Sequence, residues 1–172
     1  MIDSQVVLVG LPGAGKSTTG QILAELLGWS FRDFDQEIEA ETGLTVAEIF
    51  AREGEERFRE LEAGLTKRLA SQHQVVFAPG GGWITNERLP MLLDRNAAIV
   101  WLRVQPETAL TRLRATGVTR PLLQVPDALQ RLQSLLEQRI RHYERAHVAF
   151  DTDEKTPREI ADSICEWLTK QK

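Results

Sequence analysis

The octet Gly10-Leu11-Pro12-Gly13-Ala14-Gly15-Lys16-Ser17 has the spacing G-x-x-x-x-G-K-[ST] and follows directly on the apolar run Val6 to Val9. In that spacing glycines let backbone N–H groups turn inward around phosphate oxygens, and the helix that starts behind them adds a favourable dipole. Lys16 reaches the β- and γ-phosphates, and Ser17 offers a hydroxyl to Mg2+. A plain strand-to-helix turn has no use for Lys16 and Ser17 in register after Gly15, so the motif points to a nucleoside triphosphate with Mg2+. It leaves open which group receives the phosphate.

Acceptor chemistry has to be sought elsewhere in the chain. Asp33 and Asp35 stand at alternate positions after a second apolar run. They could divide the support of a metal from the acceptance of a hydroxyl proton, or Asp35 could simply cap a helix from Gln36 to Thr42. Gly80, Gly81 and Gly82 follow the third apolar run, where stripped side chains permit close backbone approach to a ligand or merely a flexible turn. No aspartate closes that run or the one at Ala98 to Val104, so a carboxylate supporting the metal falls to Asp33. The stretch Glu53 to Glu62 is highly charged and reads as solvated helix with i,i+4 pairs, and nothing in it singles out Arg59. Arg131, Arg139, Arg141 and Arg145 read in the same way, as the solvated face of a long helix from Ala128 to Ala146.

The elements that must position these groups are marked by local chemistry. Buried strands are expected at Val6 to Val9, Trp29 to Phe31, Val75 to Ala78, Ala98 to Val104 and Val148 to Phe150. A helix is expected at Gln21 to Leu27, closed by Gly28. Thr45 with Glu48, and Thr156 with Glu159, match the capping box, the second with Pro157 at the first helical position. Short strands alternating with helices predict a mainly parallel sheet covered on both faces. Residues 115–126, with Gly117, Pro121, Pro126 and Arg120, interrupt this rhythm as a mobile loop.

Composition narrows the remaining classes. At 172 residues and 42% hydrophobic content, residues 1–172 suit one domain with its own core. A net charge of −4 excludes a global attraction for nucleic acid or anionic membrane, so an anionic ligand must be caught locally. Cys165 lies in the apolar pattern of Ile160, Ile164 and Leu168 and reads as a packed thiol, as Trp101 and Trp167 read as packing. His73, His142 and His147 lack metal-ligand spacing. A start without basic leader and the lack of a long apolar segment give a cytoplasmic expectation, and the chain is expected to act as a monomer.

Taken in order, the phosphate loop, Asp33-Phe34-Asp35, Ile49-Phe50, Gly54 to Arg59, the glycine triplet, Arg120-Pro121-Leu122-Leu123 and Arg139 before Tyr143 resemble the shikimate kinase family over nearly the whole chain. The resemblance implies a three-layer α/β/α P-loop NTPase domain of the nucleoside-monophosphate-kinase type, with a five-stranded parallel sheet and a mobile lid. It implies transfer of the ATP γ-phosphate to the 3-hydroxyl of shikimate, on the route to chorismate and the aromatic amino acids. By motif, Gly13, Ala14, Gly15, Lys16, Ser17 and Thr18 would cradle ATP, and Ser17 with Asp33 would serve Mg2+. Asp35, Arg59, Gly80, Gly81, Gly82 and Arg139 would hold shikimate, with Phe50 and Phe58 walling its ring. Arg120 would be the lid arginine, catalytic together with Asp35 and Lys16, while Arg114, Lys155 and Pro157 would flank the nucleotide.

Two residues depart from the family pattern. Pro79 stands where a small polar residue is usual, and Trp83 stands where a small or aliphatic one is, so Trp83 is expected to narrow or reshape the acceptor pocket. Two other readings share the phosphate loop: a gluconate kinase of the same fold, and a non-catalytic nucleotide-binding module. The set Asp35, Arg59, the glycine triplet and Arg139 weighs against the first, and intact Lys16, Ser17, Asp33, Asp35 and Arg120 against the second.

Overall fold

The computed structural model describes residues 4–117 and 120–171. Val118 and Thr119, in the middle of the expected lid, lie outside the described residues.

Five short strands, β1 (Gln5–Val9), β2 (Ser30–Asp33), β3 (Val75–Ala78), β4 (Ala98–Arg103) and β5 (Val148–Asp151), pair in parallel in the order β2-β3-β1-β4-β5. β1 is central and buried from end to end, and β3 beside it is buried likewise, which is why Val6 to Val9 and Val75 to Ala78 are continuous apolar runs rather than alternating ones. Each fully buried Val, Leu or Phe there contributes roughly 1.5–3 kcal/mol. The second strand is shifted from Trp29–Phe31 to Ser30–Asp33, so Asp33 is its last residue and stands at the carboxyl end of the sheet.

The helices are α1 (Lys16–Leu27), α2 (Phe34–Thr42), α3 (Val46–Leu69), α4 (Pro106–Thr116), α5 (Ala128–Tyr143) and α6 (Pro157–Lys170). They complete the three-layer α/β/α arrangement, with α1 packed on α6, α2 on α3 and α4 on α5. Both expected capping boxes form, at Thr45 with Glu48 and at Thr156 with Glu159, and Gly28 closes α1 in a left-handed conformation. The helix expected to reach Ala146 stops at Tyr143, because the His147 N–H is already committed to Ile99 O of β4. Ala115 and Thr116, expected in the loop, are the last residues of α4.

Two local features bear on the site. α2 is capped by Asp33, whose Oδ1 accepts the N–H groups of Asp35 at 3.0 Å and Gln36 at 3.3 Å, so Asp35 is free of the capping duty that its position also allowed. α3 is broken at Gly54, where φ 84° and ψ 172° separate the first stretch, Val46 to Glu53, of about two turns, from the stretch carrying Arg59 and Glu62. No helix among the described residues is long and apolar enough to cross a membrane.

Candidate active site

A cleft of about 990 Å³ opens at the carboxyl ends of β1, β2 and β3, where open parallel sheets bind their ligands. Gly13, Gly15, Lys16, Ser17 and Thr18 line it from one side, Asp33, Asp35, Gly80 and Gly81 from another, and Arg120, Lys155 and Pro157 from the far rim. Ala14 is buried beneath the loop.

The phosphate loop ends in Gly15, held at φ 87°, and α1 begins with no side-chain cap. Side chains cap α2, α3, α5 and α6, whereas α1 and α4 have none, and of those two starts it is α1 that lines the cleft and offers its free N–H groups as an anion site. Lys16 folds back over the loop, its Nζ donating to Gly10 O at 2.8 Å and Leu11 O at 2.9 Å. Burial, and next the charge of Arg120, lower its pKa to about 7, with Asp35 opposing. The Ser17 hydroxyl donates to Asp33 Oδ2, so one carboxylate joins the start of α1 to the start of α2.

Asp35 faces this loop. Its Oδ2 accepts a hydrogen bond from Arg120 Nη1 at 2.8 Å, and a quarter of the side chain is open to the cleft. Burial on its other sides raises the carboxyl pKa above the usual carboxylate range, against the opposing charge of Arg120.

The glycine triplet is legible only from its neighbours. A Cβ on Gly80 would lie 2.5 Å from Glu62 Oε1, and one on Gly82 would lie 2.5 Å from Arg59 Nη2. One on Gly81 would lie 3.0 Å from Gly10 O and 3.1 Å from Arg139 Nη1. Two guanidinium groups from different helices therefore converge on one stretch of bare backbone, just behind the cleft wall. Arg59 is held by Glu62 at 2.5 Å and Glu55 at 3.2 Å, with its guanidinium over the Phe58 ring. Arg139 is 6% exposed and has no carboxylate partner among the described residues, which removes it from the solvated face on which its type placed it.

Phe50 and Phe58 pack together with ring centroids 5.1 Å apart but do not line the cleft. Arg114 is exposed on the last turn of α4 and does not line the cleft. Its neighbour Arg112 lines the rim instead, with Nη2 donating to Thr152 O at 2.5 Å and Nη1 to Thr152 Oγ1 at 3.1 Å. Trp83 does not narrow the pocket. It is 1% exposed, turned back toward α3, and its indole N–H donates to Thr66 Oγ1 at 3.0 Å.

Residue type alone missed Glu62. It sits in a charged run, yet it is fully buried and its carboxylate accepts both from Arg59 and from the Gly80 N–H at 3.1 Å. Burial raises its pKa, with Arg59 opposing. The available signal was register: Phe58, Glu62, Leu65 and Leu69 fall at helical spacing on the buried stripe of α3.

A shikimate kinase family model matches residues 12–169 of the chain. The shikimate kinase of Moorella thermoacetica is 44% identical over 171 residues, covering 97% of this chain and 98% of that one. Among solved structures, the shikimate kinase of Acinetobacter baumannii in complex with shikimate superposes with a TM-score of 0.91 at 39% identity, covering 98% of this chain and 94% of that one. A gluconokinase from Sinorhizobium meliloti, at 22% identity and a TM-score of 0.61 with 99% and 98% covered, shares the fold alone. The phosphate loop, the paired aspartates and the two arginines around the glycine triplet thus lie within a match over nearly the whole chain, and the chain belongs to the shikimate kinase family.

Proposed function

We propose that the protein, acting as one cytoplasmic monomeric domain, transfers the γ-phosphoryl group of ATP to the 3-hydroxyl of shikimate, giving 3-phosphoshikimate and ADP. The observation that carries the acceptor half is Arg139, a buried cation without a carboxylate partner among the described residues, aimed at Gly81 beside Arg59. A buried unpaired charge is costly, and an acceptor carboxylate would complete it with a charge-assisted fork. A neutral polyol would leave it unpaired. Every group the reading uses comes from one chain.

Asp35 takes the proton of the acceptor hydroxyl as its oxygen bonds to the γ-phosphorus and the bond to the bridging oxygen of ADP breaks. Lys16 and the α1 N-terminus hold the donor phosphates, and the negative phosphates return Lys16 to its charged form. Arg120, now paired with Asp35, serves as the lid cation that neutralises charge developing on the phosphates. Arg112 and Pro157 are better placed at the rim than Arg114 to flank the base, with Lys155 near the nucleotide.

The Ser17 hydroxyl against Asp33 Oδ2 supplies adjacent oxygen donors, a set that suits Mg2+, which keeps several waters and takes the rest of its ligands from phosphates. These two residues would hold the ion. The chemistry the ion would supply there is positive charge against the donor phosphates.

With Mg-ATP, the purified protein is expected to release ADP only when shikimate is supplied. A panel containing shikimate, gluconate and a neutral cyclic triol tests this in a coupled assay. Equal turnover with gluconate, or none with any acceptor, overturns the assignment. Gly82→Ala, which drives a methyl group into the Arg59 guanidinium, is expected to lower kcat/KM for shikimate by roughly 10- to 100-fold with the KM for ATP unchanged.

A further inference from the structure

We infer that Tyr143 is a positioning residue for the acceptor, aligning the glycine triplet and Arg139 as a single unit. Tyr143 lies one turn after Arg139 on the same face of α5, fully buried, and its hydroxyl donates to Gly81 O at 2.7 Å. In a trans peptide the carbonyl and the following N–H point in opposite directions, and the described residues contain no cis peptide bond. Pinning Gly81 O therefore fixes the direction of the Gly82 N–H, which has no protein partner among the described residues.

On the other side of the triplet Glu62 fixes the Gly80 N–H, so the bare backbone is held from α3 at one residue and from α5 at the next.

The ring behind the hydroxyl has a fixed seat. Trp101 stacks on it with centroids 5.6 Å apart and planes at 22°. Trp101 is itself in register with Val9, at the end of the strand that feeds the phosphate loop. Arg103 lies over the Trp101 ring and forks onto Asp151 with two contacts of 2.8 Å. A phenylalanine would fill the same volume, so packing alone does not call for the hydroxyl. Among the described residues its hydrogen bond goes to the acceptor backbone, from the helix that also carries Arg139.

This inference rests on the shikimate reading. Tyr143→Phe is expected to raise the KM for shikimate about 3- to 10-fold, with kcat and the KM for ATP within a factor of about two. Trp101→Phe, which keeps the hydroxyl but loosens its seat, is expected to shift the same constant in the same direction by less. Ile164→Val, a buried change on α6 away from the site, serves as the stability control and is expected to lower Tm without moving either KM. An unchanged shikimate KM in Tyr143→Phe, or equal increases for both substrates, overturns the inference. Should Tyr143→Phe not accumulate in folded form, the constants of Trp101→Phe decide by the same criterion. Absence of shikimate turnover in the wild type would refute the acceptor reading instead, so the two failures are distinguishable.

Discussion

Asp35→Asn is expected to lower kcat with shikimate by roughly 10²- to 10⁴-fold, the usual range for removing a positioned proton acceptor, while the KM for ATP stays within a factor of about two. The split follows from the geometry. Asn preserves the shape of the side chain, and Asp33 rather than Asp35 caps α2 and engages Ser17, so the donor side keeps its hydrogen bonds. Steady-state kinetics in both substrates make the measurement. Wild-type turnover in the variant would reduce Asp35 to an anchor for Arg120. The pH profile gives a second readout. Burial raises the Asp35 pKa, so the ionised base is lost as pH falls through a value above the ordinary ~3.9, and kcat declines on that acid limb. The limb is expected to disappear in Asp35→Asn.

Lys16→Met is expected to lower kcat/KM for ATP by roughly 10²- to 10³-fold, the cost of deleting one well-aimed stabiliser of transition-state charge. Stability is expected to follow a different course. Lys16 gives up two hydrogen bonds to loop carbonyls, each contributing roughly 0.5–1.5 kcal/mol net, but burial already disfavours its charge. Activity should therefore collapse while Tm moves by only a few degrees, and a variant that unfolds in parallel with its loss of activity would contradict this. With a pKa of about 7, the charged form of Lys16 in the free protein is lost as pH rises through neutrality. ATP binding is then expected to weaken from pH 6.5 to 8 and, at pH 8, to take up a proton. Calorimetry in buffers of different ionisation enthalpy would detect that uptake.

The donor half was legible from the amino-acid order because its determinants are local. Gly15, Lys16 and Ser17 act on the turn they occupy, Thr45 and Thr156 cap the helices they precede, and Val6 to Val9 must be buried whatever surrounds them. The acceptor half was legible only through its resemblance, since its determinants come from residues far apart in the chain. The bare backbone at Gly80 and Gly82 is required by Glu62 and Arg59, which pack into the space a side chain would take. Arg112 and Arg114 are alike in type, but two residues apart they point roughly 200° from each other around α4, and only the helix's orientation selects Arg112. Trp83 looked like an obstruction because its size was visible and its rotation toward Thr66 was not.

The strand order β2-β3-β1-β4-β5 separates the two substrates laterally. Proposed acceptor groups between Asp33 and Gly82 stand on the β2 and β3 side, Arg112, Thr152, Lys155 and Pro157 stand beyond β4 and β5, and the loop after β1 lies between them. In evolutionary terms this is a modular layout: changes within one contiguous third of the chain can recast the acceptor without touching the nucleotide side. From the other half of the chain Arg120 reaches Asp35, and α5 reaches the glycine triplet through Arg139 and Tyr143, so a lineage exchanging one acceptor for another on this scaffold has to alter that helix together with the segment it faces.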